Sequence, residues 1–164
     1  MVTKNGVKAI PTGHHVVTPA ITVRGAAEAI EFYKKAFGAV EESRFAGPGG
    51  RGIMHAQIRI GDSPIMLADE HPNMGCKSPA SLGNSTGTLM LYVEDVDAAF
   101  QRAVAAGARA DMPPANMFWG DRFAKVTDPF GHAWSLATHI EDVSPEECGR
   151  RGQEFFARMG NGCG

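Results

Sequence analysis

Three side chains with useful chemistry alternate along one stretch of the chain, at His55, Gln57 and Arg59. A spacing of two residues places them on one face of a β-strand. Because the unperturbed pKa of histidine lies near neutrality, His55 is a candidate general acid or base; the alternative is a half-buried structural histidine. The guanidinium of Arg59 suits an anionic ligand, and an ion pair with Glu70 or Asp62 is the alternative. The stretch therefore predicts one wall of a polar binding site.

A metal site is the second chemistry that the residues suggest. His55, Glu70 and His139 are predicted to point to the same side of the sheet, and two imidazoles with one carboxylate suit zinc or ferrous iron. The three residues lie on different strands, and strand parity alone does not bring them within bonding distance. We therefore expect no cofactor, and we keep a divalent metal on these three residues as the alternative.

Aromatic side chains precede the last predicted hairpin. Phe118 and Trp119 stand on the loop before it and could stack on a flat ligand. Residues 119–122, Trp-Gly-Asp-Arg, could equally fix the loop or a contact between two subunits. Residues 128–131, Asp-Pro-Phe-Gly, predict a tight turn, because proline presets φ and glycine takes positive φ without strain. Trp134 falls on the apolar face of the next strand, which predicts a core position.

The composition is that of an ordinary globular domain. The 164 residues are 43% hydrophobic and 21% charged, with a net charge of −2, as in average globular proteins. Scattered basic residues argue against nucleic-acid binding, which needs a basic stripe. No apolar run reaches membrane-spanning length, and residues 1–13 lack the apolar stretch of a signal peptide. Cys76, Cys148 and Cys163 are odd in number and widely spaced, which predicts reduced thiols in a cytoplasmic protein.

The same order of elements is predicted twice. Apolar periodicity indicates a strand, a helix and three strands in residues 14–70, and again in residues 86–142. Residues 1–13 form an arm, residues 71–85 a polar linker or lid, and residues 143–164 a helix and tail. The predicted strands are 16–23, 41–45, 53–60, 64–70, 87–93, 109–112, 122–126 and 133–139, and the predicted helices of the two halves are 25–37 and 96–106.

The two halves keep a nearly constant register, as expected for a duplicated module. Corresponding residues lie 69 or 70 positions apart: Thr18 and Thr88, Gly38 and Gly107, Met66 and Ser135, and Glu70 and His139. A long period with only two copies indicates duplication rather than a solenoid. The sequence therefore predicts an α+β fold in which two βαβββ modules could form one curved mixed sheet.

A last helix is predicted to begin after Ser144. Pro145 takes its first position and Glu147 its third, which is the pattern of a capping box. Gly152 weakens the helix by roughly 1 kcal/mol relative to alanine, whereas Phe155 gives it an apolar contact. We therefore expect the helix to dock, either on its own domain or on a second subunit.

Four motifs carry a resemblance to a known family. They are residues 25–38, 54–62, 119–122 and 128–147. With these motifs the chain resembles the vicinal oxygen chelate superfamily, which holds glyoxalase I, bleomycin-resistance proteins and extradiol dioxygenases, and in particular its PhnB-like branch. The resemblance implies paired βαβββ modules that curl into a cup, commonly within a homodimer.

Metal-dependent members of this superfamily place histidine or glutamate ligands on four inner strands. The register of the resemblance puts these positions at Thr18, Met66, Thr88 and Ser135. A thioether and three hydroxyls are too weak and too neutral to hold a divalent ion. The residues at these positions therefore argue against glyoxalase I or dioxygenase activity there.

The cup should instead bind a small molecule. Its candidate ligand-binding residues are Thr18, His55, Gln57, Arg59, Met66, Thr88, Tyr92, Trp119 and Ser135, a mixture of polar and apolar groups that is typical of small-molecule sites. We expect a metal-free homodimer that sequesters its ligand, with neither nucleic acid nor membrane as partner. The alternatives are a lyase, isomerase or dioxygenase that uses the displaced metal or His55, and a domain that joins a larger assembly through its last helix.

Overall fold

The computed structural model describes residues 6–160, and the side chains of residues 6–158; residues 1–5 and 161–164, with Cys163 and the outer parts of the predicted arm and tail, lie outside. The strands of the described part are β1 (Ala20–Val23), β2 (Val40–Ala46), β3 (Ile53–Ile60), β4 (Ser63–Asp69), β5 (Thr88–Tyr92), β6 (Arg109–Asn116), β7 (Asp121–Thr127) and β8 (Ala133–His139). The α-helices are α1 (Ala26–Phe37), α2 (Pro79–Leu82), α3 (Val96–Ala106) and α4 (Pro145–Gly160).

Each half of the chain builds its own four-stranded sheet. The strand orders are β1-β4-β3-β2 and β5-β8-β7-β6, so β1 and β5 are edge strands. In each sheet the first and last strands of the half run parallel, and the other neighbours run antiparallel. The α+β class and the two βαβββ modules are confirmed, and within one chain the strands are divided between two sheets.

The duplication is visible in how the corresponding helices α1 and α3 begin. The Asp69 carboxylate accepts a hydrogen bond from the backbone N–H of Ala26 at 2.8 Å. The Thr138 hydroxyl accepts one from the backbone N–H of Val96 at 2.9 Å. Asp69 and Thr138 lie 69 residues apart (138 − 69). Different side chains therefore fix the same junction in the two modules, because either one supplies an acceptor for N–H groups that a helix start leaves unpaired.

The two modules share one core, because α1 and α3 pack against each other as well as against their sheets. Its largest fully buried side chains include Trp134, Tyr33, Ile30 and Ile58. The Trp134 ring lies 4.5 Å from that of Phe37 between centroids. The predicted core position of Trp134 is therefore confirmed, and the contact joins β8 of the second module to α1 of the first.

A buried carboxylate, Asp128, also connects the modules. One of its oxygens accepts from the Tyr33 hydroxyl at 2.8 Å and from Trp134 Nε1 at 2.9 Å. The other accepts from the backbone N–H groups of Phe130 and His132, both at 2.9 Å, within the turn that the sequence predicts. Burial and the neighbouring Asp128 raise the pKa of Tyr33 well above its ordinary value, so this phenol remains a donor.

The first strand is shorter than predicted, since it begins at Ala20 rather than at Val16. The Thr18 hydroxyl donates to the His15 carbonyl at 3.1 Å, a local bond that competes with strand pairing. Pro19 has no N–H to offer a ladder, although its carbonyl accepts from a strand of the same sheet. The residues before Ala20 therefore belong to the arm.

The sixth strand is longer than predicted, since it continues past Met112 to Asn116. Met112 is paired with Lys125 and Ala115 with Phe123, so β6 advances three residues while β7 advances two. The extra residue falls at the two prolines that the sequence places at residues 113–114. An edge strand tolerates such a bulge, because only one of its sides is needed for pairing.

The last helix begins where the sequence predicts. The Ser144 hydroxyl accepts from the backbone N–H of Glu147 at 3.2 Å, which is one half of the capping box. The Glu147 carboxylate, however, forms ion pairs with Arg150 and Arg151, each at 2.7 Å, rather than returning to the serine. These pairs hold the pKa of Glu147 low, at about 2.

This helix docks on its own chain. The Phe155 ring packs 5.4 Å from the Phe118 ring between centroids, and Arg151 pairs with Glu141 at 2.8 Å. A Cβ atom added to Gly152 would lie 3.1 Å from the Phe118 ring. The glycine that weakens the helix thus also allows its close approach to the loop before β7.

Composition led to predictions about membrane spans and cysteines. Among the described residues, no helix has both the length and the apolar character that a membrane span requires. Cys76 and Cys148 are free thiols, as predicted for these two residues.

Candidate functional site

The four positions that the resemblance singles out are distributed over both modules. Thr88 and Ser135 are neighbours on β5 and β8, with their hydroxyl oxygens 3.3 Å apart. Met66 lies in the other sheet, opposite Ala20. Thr18 stands before that sheet in the arm. The chain therefore brings two of the four positions together and leaves the other two in a different module.

The arm lies across part of the first sheet, on the face that is turned away from the helices. His14 Nε2 lies 3.0 Å from Gln57 Oε1, and the Arg59 guanidinium donates to the Gly13 carbonyl at 3.0 Å. The Glu42 carboxylate pairs with Arg59 at 2.6 Å and accepts from Gln57 at 2.6 Å. The partner of Arg59 is thus a carboxylate that the sequence did not suggest, and both Gln57 and Arg59 are engaged with their own chain.

Glu70 holds the segment between the modules. Its carboxylate accepts from the Ser81 hydroxyl at 2.6 Å, from the Ser78 N–H at 3.0 Å and from the Ser78 hydroxyl at 2.8 Å. Arg24 pairs with it at 3.0 Å. These hydrogen bonds, with that of Ser81 the largest cause, lower the pKa of Glu70 to about 2. The carboxylate therefore anchors the start of α2.

The three residues of the displaced-metal alternative have separate surroundings. The His55 ring lies 6.1 Å from that of Phe45, Glu70 is bound to the linker, and His139 lies on the second sheet. Within residues 6–158, no three histidine, cysteine, aspartate or glutamate side chains form a group that could hold a metal ion. The geometry therefore offers no support for this alternative.

A connected polar cluster lies on the second sheet around Asp121, whose side chain is nearly buried. One carboxylate oxygen accepts from the Tyr92 hydroxyl at 3.1 Å and from Trp119 Nε1 at 3.0 Å. The other lies 2.9 Å from His139 Nδ1, and His139 Nε2 lies 3.0 Å from an oxygen of Asp142. One buried carboxylate thus orients three candidate residues that come from three separate segments.

A largely apolar surface adjoins this cluster; we call it the aromatic face and define it as Met90, Tyr92, Trp119 and Phe123 around the buried Ala137. Ala137 is the register partner of Tyr92 on one side and of Phe123 on the other. The Trp119 ring lies edge-to-face against Phe123, with centroids 5.5 Å apart. Tyr92 is 62% exposed and Met90 44% exposed. The aromatic face therefore combines open apolar area with side chains that are held in place.

Asp121 belongs to the motif at residues 119–122 but was not itself a candidate binding residue, and Phe123 was not singled out. Both point to the side of Tyr92, because β7 alternates in register with β8. The same strand parity that predicted the faces of β5 and β8 could have found them. The predicted start of β7 at Arg122, one residue late, places Asp121 in the preceding loop instead.

His139 should make stability depend on pH. Its hydrogen bonds to Asp121 first and Asp142 second raise its pKa, so the protonated form favours the folded state. This contribution is complete below the ordinary histidine pKa of about 6.5 and is lost as pH rises through the raised value. We expect the melting temperature of the wild type to exceed that of His139→Gln by more at pH 5.5 than at pH 9. Equal differences in thermal unfolding at both pH values would contradict the prediction.

Comparison with known proteins agrees with this architecture. Residues 13–136 match the profile of the Glyoxalase/Bleomycin resistance protein/Dioxygenase superfamily. The chain belongs to this superfamily. The match covers both βαβββ modules up to the middle of β8, and so includes most of the elements that carry the aromatic face.

Relatives within the superfamily are similar over most of their length. The uncharacterized protein Rv0887c of Mycobacterium tuberculosis is 47% identical over 134 residues, which cover 80% of this chain and 78% of that protein. The crystal structure of TioX from Micromonospora sp. ML1 has a TM-score of 0.59 at 27% identity and covers 77% of this chain and 98% of that one. The Arabidopsis thaliana At5g48480 structure has a TM-score of 0.61 at 28% identity, with 75% and 98% covered.

The residues at the four positions that the resemblance singles out do not fit a catalytic metal. Thr88 and Ser135 offer neutral hydroxyls that already face each other, Met66 offers a thioether, and the Thr18 hydroxyl is bonded to backbone. Zinc, nickel and iron sites in proteins are built from imidazole, thiolate or carboxylate groups. These four side chains therefore offer no support for metal-dependent catalysis.

Proposed function

We propose that the protein binds a small aromatic molecule on the aromatic face and holds it without chemical change. The cluster around Asp121 carries this proposal, because one buried carboxylate fixes both Tyr92 and Trp119 beside an open apolar surface. Rings that are already ordered lose little entropy on binding. A few polar groups at the edge of an apolar surface give a ligand its orientation.

A second copy of the chain supplies the opposite wall in this proposal. Val40 and Phe45 on the first sheet, and Met90 and Tyr92 on the second, expose large apolar side chains away from the helices. An open sheet face contacts only one side of a ligand, whereas binding sites bury most of a ligand's surface. We therefore propose a homodimer, and on the motifs and thiols given above we also propose a PhnB-like protein of the cytoplasm.

The proposal is tested by a thermal-shift screen of planar aromatic and antibiotic-like compounds, followed by calorimetric titration of the hits. We expect Trp119→Ala to lower the affinity at least about tenfold, since a stacking ring contributes on the order of 1–3 kcal/mol. Trp119→Phe keeps a ring and should lose less. Val104→Ala, an exposed apolar residue of α3, should bind like the wild type.

Two outcomes would overturn this function. One is a broad screen without any stabilising compound, although the protein is folded. The other is a compound that binds equally well to the wild type and to Trp119→Ala, because such a ligand does not use the aromatic face. Sedimentation of the wild type as a monomer in the presence of ligand would overturn the dimeric part alone.

An enzyme remains the second candidate, because Tyr92, Asp121, His139 and Asp142 form a continuous chain of hydrogen bonds. A histidine between two carboxylates can transfer a proton to or from a bound molecule. This moves the acid–base candidate from His55 to His139. Turnover of a bound compound that is lost in His139→Gln, with binding retained, would favour this function over sequestration.

A further inference from the structure

A cavity of about 800 Å³ lies between the two modules. Residues 60–65, at the turn from β3 into β4, form one of its sides, and residues 89–95, along and after β5, form another. Val17 and Pro19 of the arm border it as well. Its volume falls within the range of small-molecule sites, roughly 300–1,000 Å³. The cavity is thus large enough for a ligand and is built from both halves of the chain.

The interior of the cavity is apolar. Ile65, Leu91, Phe37 and Trp134 line it, and Phe37 and Trp134 also belong to the core that joins the modules. Core side chains keep fixed positions because close packing restrains them. The cavity therefore offers a preformed apolar wall, which lowers the entropic cost of binding a rigid apolar molecule.

This cavity is distinct from the aromatic face. Its described lining includes Leu89 and Leu91, whose side chains point away from that face, and does not include Asp121, Trp119 or His139. Of the residues that define the aromatic face, Met90 and Tyr92 on β5 also border the cavity. A ligand in the cavity would therefore contact Trp134, whereas a ligand on the aromatic face would contact Trp119.

The rim of the cavity carries more acidic than basic groups. Asp62, Glu94, Asp95 and Arg102 lie there, and three carboxylates with one guanidinium give a formal charge of −2 (1 − 3). Asp95 is used as the cap of α3, where it accepts from Ala98 N–H at 3.0 Å. Within the described residues, the side chains of Glu94 and Arg102 form no hydrogen bond and no ion pair. Glu94 is therefore available to a ligand, in a negative field that favours a cation.

We infer that the inter-module cavity binds an apolar, ring-sized molecule that carries a protonated amine. The apolar part lies against Leu91, Ile65 and the edge of Trp134, and the amine lies at the rim near Glu94. This site does not depend on the proposed function of the aromatic face, since no residue of the Asp121 cluster other than Tyr92 borders it.

Two probes with the same ring system test the inference, 1-naphthylmethylamine and 1-naphthoate, each titrated at pH 8 and low salt. We expect the amine to bind at least about fivefold more tightly than the carboxylate, because the rim field favours a cation. Glu94→Gln should weaken amine binding about twofold to fivefold, and Arg102→Gln should strengthen it by a similar factor. Both positions are exposed, so folding is expected to be unchanged.

Two further variants locate the bound amine. The chain has two tryptophans, so in Trp119→Phe the emission comes from Trp134, and the amine should change it with unaltered affinity. Ser63→Phe places a ring at the exposed first residue of β4, which borders the cavity, and should block binding. Three results would each overturn the inference. They are tighter binding of 1-naphthoate than of the amine, equal amine affinity of Glu94→Gln and Arg102→Gln, and loss of amine binding in Trp119→Phe. If the proposed function of the aromatic face is wrong, the result will differ: planar aromatic compounds will bind Trp119→Ala as tightly as the wild type.

Discussion

Replacement of Asp128 with alanine is expected to lower the free energy of unfolding by about 3–5 kcal/mol. The carboxylate is 3% exposed and accepts four hydrogen bonds. Two of the donors, Tyr33 and Trp134, are buried core side chains from different modules. Without the carboxylate they would stay buried without an acceptor, which costs the full desolvation of each group. Urea unfolding followed by tryptophan fluorescence and circular dichroism measures the change.

Matched variants separate the carboxylate from its partners. Tyr33→Phe removes one donor and leaves Asp128 with three, so it should cost only about 1 kcal/mol. Asp128→Asn keeps the shape but turns one acceptor into a donor, so its cost should lie between the two. If Asp128→Ala were no more destabilising than Tyr33→Phe, the carboxylate would not be the connection between the modules.

Elements with local signals could be predicted closely. The helix at residues 96–106 was predicted with the bounds that the structure gives. Asp95 caps its first turn, and Gly107 takes a positive φ of 117° immediately after it. The strands at residues 53–60 and 133–139 were also predicted with their observed bounds. In these cases the alternation of apolar residues and the turn residues at each end act within a few positions of one another.

Features set by distant residues could not be predicted in the same way. The Tyr92–Asp121 hydrogen bond spans 29 positions and the Arg59–Glu42 pair 17. Strand parity gives the face of a side chain, but several carboxylates compete for each donor on that face. Glu70 and His139 illustrate this point, since they correspond in the repeat and yet have unrelated partners. The register therefore predicted where candidate residues lie and not which of them would meet.

Replacement of Asp121 with alanine should disorganise the aromatic face. Tyr92, Trp119 and His139 would lose their common acceptor, and the pKa of His139 should fall towards its ordinary value because the hydrogen bond that raises it most is gone. We expect a loss of about 1–3 kcal/mol of stability, the usual cost of an unpaired buried group. The histidine pKa is measured by NMR titration, and the stability by urea unfolding.

Asp142→Ala is the matched control, because Asp142 is fully exposed and bonds the other nitrogen of the same imidazole. It should lower the pKa of His139 less than Asp121→Ala and change stability and ligand affinity only slightly, since water replaces an exposed partner at little cost. The orientation of Tyr92 and Trp119 depends on Asp121 and not on Asp142. Ligand binding should therefore be lost only in Asp121→Ala. Equal binding by the two variants would show that the aromatic face does not need its buried carboxylate, and the proposed site would lose the feature that carries it.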